Sequence, residues 1–150
     1  MNTHKKKKSM SFIGRKEEID ILEQMYVKKK PEFLALYGRR RVGKTFLIRK
    51  FFEDKKGVFL NVTGTKKGTF AEQIRHFSDQ ISRTFYNDAT LAVPKNWDEA
   101  FNLLTNAIRG TKAKKVILFF DEIPWMATRK SRLLQNLDYY WNQHWSNDAR

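Results

Sequence analysis

The chain has 150 residues, 41% hydrophobic and 14% aromatic, which is a globular composition and allows one domain with its own core. It has no cysteine, which excludes a disulfide framework, thiolate metal sites and a cysteine nucleophile. It also has no run of about 18 apolar residues, so no membrane span is expected.

The formal net charge is +14, and it is unevenly placed. Residues 1–68 carry 19 of the 30 basic side chains and only 7 of the 16 acidic ones. Such an excess attracts nucleic acid or another polyanion, and it equally suits a lysine-rich surface with a basic tail.

Residues 1–10, with Lys5 to Lys8, form a basic disordered tail. No apolar stretch follows it, so a secretory leader is not expected and the cytoplasm is the default compartment. Phe12, Ile13 and Gly14 precede a helix that starts at about Arg15. Its apolar positions Ile19, Leu22, Met25 and Tyr26 recur at steps of three and four. Glu17 and Glu18 suit the first turn and Lys28 to Lys30 the last, before Pro31 ends it.

Phe33 to Tyr37 is the first expected strand. After a polar loop, a helix runs from Lys44 to about Phe52, with Phe46, Leu47 and Phe51 inward and Ile48 as a further candidate. Val58 to Val62 has the apolar character of a buried parallel strand, and Thr63 to Gly68 is a loop. From about Thr69 to Tyr86 the stripe Phe70, Ile74, Phe77, Ile81, Phe85 predicts a long helix facing the core. Asn96 to Arg109 is another, with Asn96 and Glu99 at capping-box spacing, Trp97, Phe101, Leu104 and Ile108 inward, and Gly110 just beyond its end. Val116 to Phe120 is a strand that ends in Asp121-Glu122, and a last helix covers roughly Lys130 to Trp145. His144, on that helix, is expected to pack and not to ligate a metal, since no ligand partner is nearby in sequence.

Two places in this order carry chemistry. Gly38-Arg39-Arg40-Arg41-Val42-Gly43-Lys44-Thr45 is G-x-x-x-x-G-K-T between a strand and a helix, the Walker A phosphate loop. Gly38 and Gly43 let the backbone turn tightly and come close to a ligand, and the amides of the loop and helix start converge on a polyphosphate. Lys44 reaches the β- and γ-phosphates, and the Thr45 hydroxyl suits Mg²⁺. The second place is Asp121-Glu122, a Walker B pattern at the carboxyl end of a buried strand, where ligands sit in open α/β sheets. Asp121 is the candidate Mg²⁺ ligand and Glu122 the candidate general base that activates water against the γ-phosphate of ATP. Phe12, Ile13 and Gly14 are read as a lip beside the nucleotide base or, more plainly, as the lead-in to a helix.

The order Phe12-Ile13-Gly14-Arg15-Lys16-Glu17-Glu18-Ile19, Tyr37 to Thr45 and Leu118 to Trp125 resembles the prokaryotic (archaeal and bacterial) AAA-like P-loop ATPases, in particular a group whose loop reads G-R-R-R-x-G-K-T. The resemblance runs from about Phe12 to Trp145. It implies an α/β P-loop three-layer sandwich with a mainly parallel sheet, ATP and Mg²⁺ as ligands, base contacts from Phe12, Ile13 and Gly14, and catalysis by Glu122 with Lys44. It also implies a further strand, ending in a polar sensor residue, between the loop's strand and the Asp121 strand. That strand is expected to begin where this sequence reaches Arg150. Residues 11–150 are therefore expected to be the N-terminal portion of such a domain, truncated before the sensor strand and weak or inactive as a hydrolase. A homo-oligomer or a partner chain would complete the sheet, or the Phe33–Tyr37 and Val116–Phe120 strands would pair directly. The alternative function is a nucleotide-dependent DNA- or RNA-binding module using the basic surface. A GTPase or small-molecule kinase on the same loop is a third reading, disfavoured by the lack of an N-K-x-D motif.

Overall fold

A computed structural model describes residues 15–36 and 43–150. The expected tail, residues 1–10, lies outside the described residues. The order is α1 (Lys16–Val27), α2 (Lys44–Glu53), β1 (Val58–Thr63), α3 (Phe70–Phe85), α4 (Trp97–Gly110), β2 (Val116–Asp121), a short α5 (Ile123–Met126) and α6 (Leu133–Gln143), followed by a 3₁₀ turn at Trp145–Asn147.

β1 and β2 form a parallel two-stranded sheet, in register from Val58 opposite Val116 to Thr63 opposite Asp121. Parallel neighbours need a long crossover, and α3 and α4 supply it. α3 begins with a complete capping box: the Thr69 hydroxyl accepts from the Glu72 amide, and the Glu72 carboxylate accepts from the Thr69 amide at 2.7 Å. At α4 only half of the expected box forms. Asn96 Oδ1 accepts from the Glu99 amide at 2.8 Å, while Glu99 turns to the Lys95 amide.

Side chains alternate between the two faces of the sheet. Leu60, Val62, Leu118 and Phe120 meet α3, α4 and α6, whose Phe77, Phe101, Trp97 and Leu104 are sealed from water. Phe77 stacks on Phe120 at 6.2 Å and meets Phe101 edge-on at 5.6 Å. On the other face Phe59 and Phe119 meet a smaller cluster of Leu22, Leu47, Ile48 and Phe51 from α1 and α2.

Several expectations need correction. Residues 33–36 of the expected first strand form no strand, and Phe33, Leu34 and Leu36 are 58%, 40% and 39% exposed. A strand exists only by pairing, and this segment has no neighbour to pair with among the described residues. α1 stops at Val27, so Lys28 to Lys30 lie past its last turn and do not complement its dipole. Phe46 is 59% exposed and does not pack inward. Gly110 closes the last turn of α4, and Thr111 is the cap. The last helix starts at Leu133, later than expected, because Arg132 takes a left-handed conformation (φ 58°) ahead of it.

One edge of β2 is covered by β1. The amides of Val58 and Gly64 donate to the carbonyls of Lys115 and Asp121, so alternate residues of β2 point their backbone groups to the other edge. There the Val116 amide donates to the Arg150 carbonyl at 3.0 Å. No helix among the described residues is long and apolar enough to cross a membrane.

Candidate functional site

The parallel sheet aims the carboxyl ends of β1 and β2 in one direction, and α2 starts near the end of β2. The Thr45 hydroxyl, in the first turn of α2, donates to Asp121 Oδ2 at 2.7 Å across 76 positions of sequence. Asp121 Oδ1 accepts from the Glu122 amide at 3.0 Å, which fixes the carboxylate in two places. Gly43 caps α2 in the left-handed region (φ 79°), a conformation that glycine takes without penalty. Lys44 follows as the first helical residue and is partly buried. α2 has no side-chain cap and no acid in its first turn, so the positive end of its dipole is uncompensated by the helix's own residues.

Glu122 is also left-handed (φ 54°, ψ 41°) and leads into α5, where Pro124 suits the first turn. A neighbour not anticipated from sequence allows that turn. Gly64, just past β1, donates its amide to the Asp121 carbonyl at 2.9 Å. A Cβ on Gly64 would stand 2.4 Å from the Glu122 carbonyl oxygen and 3.0 Å from Trp125 Cβ. The glycine is therefore needed for close approach between the loop after β1 and the turn after β2.

Gln73 is a second unanticipated residue, 4% exposed on α3. Its Oε1 accepts from the Thr65 amide at 2.9 Å. Its Nε2 donates to the Thr65 carbonyl at 2.6 Å and to the Trp125 carbonyl at 3.3 Å. One side chain thus ties both loops to α3. Lys66 lies over the Trp125 ring at 5.6 Å, and Thr65 Oγ1 is 3.1 Å from His76 Nδ1. Nothing in the sequence marks Gln73, because its importance is entirely tertiary.

The structure thus brings Gly43, Lys44, Thr45, Asp121 and Glu122 to one end of the sheet. Gly38, Arg39, Arg40, Arg41 and Val42 of the expected loop lie outside the described residues, as do Phe12, Ile13 and Gly14 of the expected base lip. The residue after that lip is described: Arg15 Nη2 is 3.5 Å from where a Cβ on Gly43 would stand, so the start of α1 is next to the start of α2. His144 packs against Tyr139 and Tyr140, and its Nδ1 is 3.1 Å from Arg109 Nη2. No cluster of three or more metal-ligating side chains (histidine, cysteine, aspartate or glutamate) occurs among the described residues. The paired oxygens of Thr45 and Asp121 are hard donors of the type that suits Mg²⁺, which takes few protein ligands.

Residues 12–149 match the family described as an ATPase domain predominantly from Archaea. Two curated relatives come from Methanocaldococcus jannaschii. One, named an uncharacterized ATP-binding protein, is 56% identical over 45 residues, which cover 30% of this chain and 76% of that protein. The other, an uncharacterized protein, is 30% identical over 115 residues, which cover 75% of this chain and 22% of that protein. The chain therefore spans about a fifth of that longer relative. No solved structure matches significantly. With the match spanning nearly its whole length, the chain belongs to this family of predominantly archaeal ATPase domains.

Proposed function

We propose that the chain binds ATP with Mg²⁺ at Gly38 to Thr45 and, in its complete form, hydrolyses it to ADP and phosphate. The observation that carries this reading is the 2.7 Å pairing of Thr45 with Asp121, which joins the two motif residues expected to share a cation. In this reading Lys44 and the loop amides neutralise the β- and γ-phosphates. Thr45 and Asp121 hold Mg²⁺, which supplies charge neutralisation when bound. Glu122 takes the proton of an attacking water, and the turn held open by Gly64 sets where its carboxylate starts. Phe12, Ile13 and Gly14 line the base. The name of the shorter relative, an ATP-binding protein, supports the choice of ligand.

The sheet of the complete form is proposed to be a three-layer sandwich with a further strand beside β2, where Val116 already bonds to Arg150. Residues 11–150 would then be the first part of that ATPase domain, preceded by a basic tail. Alone it is expected to turn over slowly or not at all.

Calorimetric titration with Mg·ATP tests the reading. Wild type should bind, Lys44→Ala should lose binding by at least about tenfold, and Glu122→Gln should retain it. Unchanged affinity in Lys44→Ala would remove the loop from the site.

A second reading is favoured by the charge of residues 1–68 and by the exposed pair Lys66-Lys67 beside the site. It is nucleotide-dependent binding of DNA or RNA on the basic surface. Affinity for a single-stranded oligonucleotide should then fall steeply with salt. No binding at low salt would end this reading.

A further inference from the structure

We propose that the outer edge of β1 is a docking site for an extended, acidic peptide segment of a partner protein. The inference stands apart from the nucleotide reading, because none of its residues belongs to either motif. Three observations point the same way.

The first is an open strand edge. The amides of Val58 and Gly64 bond toward β2, so the alternate residues Phe59, Asn61 and Thr63 turn their backbone groups to the opposite edge. No strand or loop among the described residues bonds them there. Those amides and carbonyls are the ladder that an added strand uses.

The second is a groove along that edge, about 250 Å³ in volume. Asn61, Val62 and Thr63 of β1 line it, with Arg49 from α2 and His76 and Gln80 from α3. Val62 packs into the larger core and Phe59 into the smaller one, so the groove passes over the edge of the sheet from one face to the other. It is smaller than the about 300 Å³ at which small-molecule pockets begin, and it suits a chain laid along β1. Asn61 Oδ1 is buried with no hydrogen-bond partner. A buried carboxamide is ordinarily bonded, and turning it end for end offers either a donor or an acceptor. A peptide backbone brings both.

The third is charge. Arg49 makes no ion pair among the described residues, and the acid four residues on, Glu53, is held by Lys50 at 2.7 Å. No acid lines the groove. His76 Nδ1 is already 3.1 Å from Thr65 Oγ1. A guanidinium fork matches a carboxylate, so the occupant brings an acidic side chain. Two copies of a chain at +14 repel each other, which favours a partner of opposite sign over a second copy.

The experiment is fluorescence anisotropy with a labelled, end-blocked pentapeptide of threonine, valine, glutamate, valine and threonine, which matches the span from Phe59 to Thr63. Its comparators are the same peptide with a central lysine, the same peptide N-methylated at every amide, and N-acetylglutamate as a competitor. The glutamate peptide should bind wild type with a Kd below about 1 mM. The lysine and N-methylated peptides should bind at least about tenfold more weakly, and Arg49→Met should weaken the glutamate peptide by about tenfold. Bound glutamate peptide should slow amide hydrogen exchange at Phe59, Asn61 and Thr63.

No binding of the glutamate peptide at 1 mM or about that level overturns the proposal, and so does unchanged affinity in Arg49→Met. If the lysine peptide binds equally well, charge does not select the occupant and the proposal fails. If the N-methylated peptide binds equally well, or N-acetylglutamate binds as tightly as the peptide, the groove holds a carboxylate alone and strand addition fails. Exchange slowed at Val116 to Phe120 and not in β1 would put the peptide on the other edge. A dimer that the peptide disperses would make the occupant a second copy, and either result overturns the proposal. Should Arg49→Met not fold, the peptides decide on wild type alone.

Discussion

The two faces of the sheet are packed on different scales. One face meets three helices through Leu60, Val62, Leu118 and Phe120, and closes over Trp97, Phe77, Phe101 and Leu104 with at most 1% exposure. The other meets α1 and α2 through Phe59 and Phe119, and among the described residues only Leu22, Leu47, Ile48 and Phe51 are buried there. Yet the thin face carries α2, the helix whose first turn supplies Lys44 and Thr45. The larger core lies on one side and the proposed nucleotide contacts on the other. The two sides meet where Asp121 bonds Thr45 and where Gly64 and Gln73 bind the loops of the sheet's end.

That contrast can be tested by substitution. Phe101, fully buried amid five aromatic rings, should cost about 3–5 kcal/mol when replaced by alanine. Leu22→Ala on the thin face should cost about 2–3 kcal/mol, near the low end for a leucine whose surroundings can collapse. Urea denaturation of both variants measures the difference, and equal costs would break the comparison.

A smaller effect is expected at the meeting point. Gly64→Ala drives a Cβ into the Glu122 carbonyl and should destabilise by about 1–3 kcal/mol. A wild-type denaturation midpoint in that variant would show that the two loops give way easily.

The smallest effect is on the alkaline side. Burial, with the hydrogen bond to Asp98 second, pushes the Tyr140 hydroxyl up to about 12 from 10.0. The folded state then holds that proton to higher pH than the unfolded chain does. Its contribution is whole below pH 10 and is lost as pH rises towards 12. Tyr140→Phe should flatten that part of the stability profile relative to wild type. An identical slope in both proteins would assign the alkaline loss to other groups.

What was legible in the sequence follows the same division. The positions of β1, β2, α3 and α4 were readable because their periodicity reflects burial that the structure contains: Ile74, Phe77 and Ile81 on one helix, Trp97, Phe101 and Leu104 on the next. The pairing of Thr45 with Asp121 was readable through two motif positions expected to share a cation. The strand expected from Phe33 was misread because an apolar run states a preference, while a strand needs a partner. Gly64 and Gln73 were not anticipated as neighbours of the candidate site. Each acts on a residue far away in sequence, and nothing in local spacing encodes such a meeting.

The edge of β2 away from β1, as it stands among the described residues, has a consequence for how the protein behaves in quantity. Val116-Ile117-Leu118-Phe119-Phe120 is apolar, β-prone and uncharged, and one of its two edges is met only at Val116 among the described residues. Such an edge is a template on which another chain can add, in solution as well as in a sheet. Lys112, Lys114 and Lys115 stand immediately ahead of it. Charged residues flanking an unavoidable apolar strand act as gatekeepers against that association. Among the described residues, these lysines place like charge beside that edge, and like charge opposes the approach of a second copy.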